Sequence, residues 1–215
     1  RLWFLDQLSP DNPFYNIPIA MKVTGALDLP ILEKSINEIV RRHEVLRTSF
    51  HNSEGAPVLQ IHGFVKVPIT VTDISSMSVS RRQQKIRELI HDEAQKAFRL
   101  TSAPLIRIVV IKIAVDEHVI VLNMHHIISD GWSSNIIMKE MALLSDAFRK
   151  GHPSPLAELP VQYVDYAAWQ RERIKGDVLE EQIRFWKEAI GLNPPVLRLP
   201  TDYPRPAAQT FNGDT

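Results

Sequence analysis

The chain has 215 residues, 44% hydrophobic and 23% charged, with 25 basic and 25 acidic side chains and no cysteine. That length and composition suit a globular domain with a sizeable core, and the balanced, dispersed charge argues against a nucleic-acid partner or an anionic membrane. Without cysteine there is no disulfide framework, no thiolate-bound metal and no cysteine nucleophile. No apolar run reaches the roughly 18 residues of a membrane span, and no signal-peptide pattern opens the chain, so a cytoplasmic location is expected. The start at Arg1 and the turn-like end at Asn212–Thr215 read as a piece of something longer.

Taken in chain order, Arg1–Leu8 reads as a short apolar helix broken by Ser9-Pro-Asp-Asn-Pro13, and Tyr15 to Val23 as a strand ending before Gly25. Asp28 is an N-cap candidate with Pro30 in the first turn, and Leu32, Ile36, Ile39, Val40 and His43 follow at helical spacing. Leu46 to His51 and Pro57 to His62 flank Asn52-Ser-Glu-Gly55 as a hairpin, and Val67 to Val71 is a further strand candidate. Ile86, Leu89, Ile90, Ala94, Ala97 and Phe98 predict a helix with a charged outer face. Leu105 to Val115 and Val119 to Met124 read as buried strands joined at Asp116-Glu117. Ser133 or Ser134 is expected to cap the next helix, which carries Ile137, Met141, Leu144 and Phe148 and ends before Gly151. Val164 to Ile174 and Leu179 to Ile190 read as helices, and the proline-rich remainder, 191–215, as a linker. The mixture predicts an α/β domain with a mixed sheet packed against helices.

The chemistry concentrates in Met124-His-His-Ile-Ile-Ser-Asp-Gly-Trp-Ser133. Two histidines end a buried strand, an aspartate stands four residues after the second, and a glycine precedes a helix. Successive strand side chains face opposite ways, so one histidine is expected in a cleft and the other buried or supporting the loop. A histidine near its ordinary pKa is suited to proton handling. Zinc is disfavoured, because no HExxH pair exists and adjacent strand histidines diverge.

His-His-x-x-x-Asp-Gly at 125–131 is similar to the signature of chloramphenicol-acetyltransferase-like acyltransferases. Arg42-His-Glu-Val-Leu-Arg-Thr-Ser-Phe50, Tyr163-Val-Asp-Tyr-Ala-Ala-Trp169 and Leu199-Pro-Thr-Asp-Tyr-Pro-Arg-Pro206 resemble nonribosomal peptide synthetase condensation domains in particular. Arg1–Leu8 with Tyr15-Asn-Ile-Pro18 resembles the subtype joining an L-donor to an L-acceptor. The resemblance implies that 1–215 is the N-terminal lobe of a two-lobed, pseudo-dimeric domain, with the C-terminal lobe absent. The resemblance further implies a tunnel between the lobes, entered by phosphopantetheine arms of upstream and downstream peptidyl carrier domains, with an adenylation domain adjacent. No cofactor is then bound directly.

The resemblance places His126, His125, Asp130 and Gly131 at the reaction centre. His126 is expected beside the attacking amine, either as a base or as a positioning group; His125 is expected to be structural. Asp130 is expected to fix the loop by an ion pair with Arg47 or with an arginine of the second lobe, and the Gly131 amide to approach the oxyanion. Arg47, Ser129 and Trp132 are expected to support the site, and the aromatic residues of 163–169 to pack against the body. The implied activity is amide bond formation in secondary-metabolite biosynthesis. A coenzyme A-dependent acyltransferase and a non-catalytic docking module are the alternatives.

Overall fold

The computed structural model of the chain describes residues 1–191, 193–197, 199–204 and 207. It divides into two units, Arg1–Gln162 and a second that begins at Tyr163.

The first unit is built on a four-stranded sheet. Strand β1 (Asn16–Thr24) lies antiparallel to β6 (Glu117–His125), β6 antiparallel to β5 (Ile106–Ala114), and β5 parallel to β4 (Ile69–Asp73). β6 is central, and its valine and isoleucine side chains are buried on both faces. One face carries Ile120, Leu122 and Met124 into a core with Ile36, Ile39 and Val40 of α2 (Leu29–Arg42) and Ile137 and Leu144 of α4 (Gly131–Arg149). The other carries Val119 and Val121 against Ile86, Leu89 and Ile90 of α3 (Val79–Ala94). The period of two along β6 thus sorts its side chains between two helical layers. A short α1 (Leu2–Leu8) adds Trp3 to the first of these cores, and a separate hairpin pairs β2 (Thr48–Ser53) with β3 (Ala56–Ile61).

The local chemistry explains most element ends. Asp28 caps α2, its carboxylate accepting from the Ile31 amide at 3.0 Å, with Pro30 in the first turn. The β2–β3 turn places Glu54 and Gly55 at φ 53° and 82°, the left-handed region that glycine adopts without strain.

Four boundaries differ from expectation. Leu46 and Arg47 lie in a 3-10 turn, Glu44–Arg47, ahead of β2. The strand expected at Val67 begins at Ile69, because Pro68 has no N–H for the ladder. The turn joining β5 to β6 falls at Val115-Asp116, one residue earlier than expected. Helix α3 ends at Ala94 rather than running to Phe98, because side chains from the sheet take up its last carbonyls.

The second unit contains α5 (Tyr163–Arg173) and α6 (Gly176–Ile190). Neither has a buried residue. Within α5, Tyr163, Tyr166 and Trp169 lie along one side with tilted rings, their centroids 6.2 and 5.7 Å apart. In the expected linker 191–215, and in the 199–206 motif within it, residues 192, 198, 205, 206 and 208–215 lie outside the described residues; the described ones carry no helix or strand.

Candidate active site: a turn held from both sides

β6 ends at His125, and the chain turns sharply through 126–130 into α4. The His125 carbonyl closes that turn by accepting from the Ile128 amide (3.1 Å) and the Ser129 hydroxyl (3.2 Å). On one side the His126 amide donates to the Tyr15 carbonyl (2.7 Å), just before β1; on the other the His125 amide donates to the Leu105 carbonyl (3.0 Å), just before β5. Ile128 is buried in the main core. The turn is therefore fixed by three strand ends and an apolar anchor.

The two histidines part as strand alternation requires. His125 is 2% exposed, with Tyr15 tilted against it (6.1 Å between centroids) and Phe98 edge-on (6.3 Å). Its Nδ1 accepts the Ile127 amide proton at 3.0 Å, so the ring proton sits on Nε2 and the imidazole is neutral. Burial, and then the neighbouring His126 charge, push its pKa down to about 4. His126, by contrast, is exposed.

Asp130 corrects two expectations. It, not Ser133 or Ser134, is the N-cap of α4: one carboxylate oxygen accepts from the Ser133 amide (2.8 Å) and hydroxyl (2.6 Å). Those bonds, the hydroxyl first, hold the carboxyl below its ordinary pKa. Arg47, one of its two expected ion-pair partners beside an arginine of the second lobe, is committed elsewhere. Its guanidinium donates to the His62 carbonyl (2.5 Å) and pairs with Glu44 (3.2 Å), tying the 3-10 turn to the end of β3. Ser129 is buried and closes the turn. Trp132 is 78% exposed, so it does not brace the loop from within the first unit. Gly131 opens α4 with no left-handed φ, and a Cβ there would meet nothing within 4 Å, so no described residue demands glycine.

A cluster absent from the sequence expectations lies beneath His125. Asn16, Asn123 and Arg107 come from three adjacent strands on the α3 side of the sheet, where Asn16 pairs across to His125 and Arg107 to Asn123. Asn123 donates to the Glu93 carbonyl (2.8 Å), and Asn16 to the carbonyls of Ala94 (2.6 Å) and Lys96 (3.1 Å). Arg107 pairs with Glu93 at 2.5 Å. The signal was present: Arg107 and Asn123 are polar residues set within runs of isoleucine, valine and leucine. A second buried network joins α2 to α4, with Glu140 accepting from His43 at 2.8 Å and lying 3.6 Å from Arg42. Among the described residues, no three His, Asp or Glu side chains converge as a metal site would require.

The condensation-domain family profile matches residues 1–215. The chain belongs to the condensation-domain family. One of the linear gramicidin synthase proteins of Brevibacillus parabrevis is 45% identical over 215 residues, the whole of this chain but 3% of that protein. Among solved structures, the X-domain from teicoplanin biosynthesis in complex with OxyB superposes with a TM-score of 0.80 at 27% identity, covering 95% of this chain and 44% of that one. SgcC5 from Streptomyces globisporus gives 0.73 at 27% identity, covering 87% and 44%. This condensation-domain chain thus spans less than half of either solved chain, and its mixed sheet packed with helices is the fold they share.

Proposed function

We propose that this chain supplies the histidine-bearing half of an enzyme that joins a donor acyl or peptidyl thioester to the α-amine of an acceptor aminoacyl thioester, in nonribosomal peptide synthesis in the cytoplasm. Both substrates are carried on phosphopantetheine arms of upstream and downstream peptidyl carrier domains. An adenylation domain is adjacent, and a C-terminal lobe completes the tunnel. The observation that carries this reading is the exposed His126 imidazole, standing on a turn tied to the chain just before β1 and β5.

The amine nitrogen attacks the thioester carbonyl carbon, its oxygen gathers the negative charge, the C–S bond breaks, and the nitrogen's surplus proton ends on the departing thiol. An α-amine titrates near pH 8, so about a tenth or more is free at neutral pH and the nucleophile needs little activation. His126 manages that proton and aligns the nitrogen, while His125, locked neutral by Ile127, serves the turn. General acid–base help of this kind contributes about 10²–10⁴-fold, and alignment of two tethered reactants can add more.

The teicoplanin X-domain, described in a complex with OxyB, favours a second reading in which this fold is a docking module. One experiment separates the two. With the complete domain and loaded donor and acceptor carriers, mass spectrometry should show dipeptidyl-thioester formation that falls at least about 100-fold in His126→Ala. A native domain inert with several carrier pairs would favour docking, or transfer from coenzyme A if acyl-coenzyme A restores product.

A further inference from the structure

We propose that Arg107 is a positioning residue for His126: it fixes the stretch that follows α3, that stretch seats Phe98 against His125, and His125 holds the turn that presents His126. The proposal rests on the condensation reading of His126, and its test is built to fail separately from that reading.

The geometry uses the whole guanidinium. Nε donates to Glu93 at 2.5 Å, Nη2 to the Lys96 carbonyl at 2.5 Å, and Nη1 to the Ala97 carbonyl at 3.3 Å. Its flat face lies over the Phe98 ring, with Cζ 3.7 Å from the centroid. A planar fork with donors in fixed directions can satisfy one carboxylate and two carbonyls while stacking; a lysine ammonium has neither the plane nor the reach. α3 has ended by Ala94, so the carbonyls of 96 and 97 are not taken by helical partners, and Arg107 substitutes for the missing turn. Phe98, 5% exposed, is thereby held between the arginine and the His125 ring.

That clamp keeps His125 dry. The charged and titratable groups around the imidazole are the Arg107–Glu93 pair from β5 and α3, Tyr15 ahead of β1, and His126 in the turn. Exclusion of water favours the neutral ring, and only a neutral ring offers Nδ1 as an acceptor to the Ile127 amide. A protonated His125 would present a second N–H to that amide, and the turn bearing His126 would lose one of its fixed bonds. Arg107 thus acts through Phe98 and His125 without touching substrate.

The test uses the complete condensation domain with Arg107→Met, which retains the aliphatic stem, and Arg107→Lys, which retains the charge. At pH 7, displacement of the turn alone should cost both variants at least about ten-fold in kcat, with KM for the two carrier substrates within about two-fold of native. Histidine NMR should show His125 titrating at least about one pH unit higher, and the acid limb of the rate profile should rise with it. Native kcat with an unmoved His125 titration in either folded variant overturns the proposal, because ordinary loss of packing would not restore both. Should Arg107→Met not fold, Phe98→Leu gives a smaller shift of His125 in the same direction if the clamp acts as described; no shift overturns it. If the native domain forms no amide with any carrier pair, the condensation reading fails, and the His125 titration still decides on Arg107.

Discussion

The two faces of β6 are alike through the middle of the strand and end differently. Toward α2 and α4 the strand presents Ile120, Leu122 and Met124, apolar to its last residue. Toward α3 it presents Val119 and Val121, then Asn123 and His125, both buried and both hydrogen-bonded. From Ile120 to Met124 one face is given to cohesion, which is non-directional. The other gives up cohesion over its last two positions for hydrogen bonds, which have direction and so fix where His126 stands.

Four measurements can break or sharpen that contrast. The largest effect is expected on the apolar face: Met124, fully buried, should cost about 2–5 kcal/mol as Met124→Ala in denaturant unfolding, through lost burial plus a cavity. Next is pH. His125 titrates near 4 folded against 6.5 in an open chain, so the unfolded state binds the proton first as pH falls. Stability should be fully present above pH 6.5 and decline by about 3 kcal/mol between 6.5 and 4, a slope that His125→Gln should flatten. Third, Asn123→Ala should cost about 1–3 kcal/mol by stranding the Glu93 carbonyl, with a smaller loss of thermal stability than Met124→Ala. The smallest effect belongs to the cap: Asp130→Ala should lose about 1 kcal/mol in thermal unfolding, while Asp130→Asn should hold both stability and condensation near native. Abolished condensation in a stable asparagine variant would show that the charge of Asp130, and not its cap geometry, is what the site needs.

Elements whose signals are local were legible. Asp28 with Pro30 announced α2, the glycine of Asn52–Gly55 announced the hairpin, and the valine and isoleucine runs announced β5 and β6. The divergence of His125 and His126 was legible for the same reason, since it follows from the last residue of a strand and the one after it. What escaped depends on partners far along the chain. The end of α3 is set by Asn16, Asn123 and Arg107, and no propensity at Ala94 records them. The partner of Asp130 was ambiguous because an aspartate before a helix suits either a cap or an ion pair, and only the folded chain shows that Arg47 is already engaged.

The hydrogen bond from the His126 amide to Tyr15 links residues about 110 apart, whereas β5 and β6 meet across a two-residue turn. Local pairs close quickly and distant ones carry a larger loop-closure entropy, so the β5–β6 hairpin is free to form early and β1 docks late. His126 acquires its final bearing only when the first strand arrives. A nascent or partly opened chain therefore displays its histidines without the register that makes them useful, and competence at this site doubles as a report that the N-terminal strand is in place.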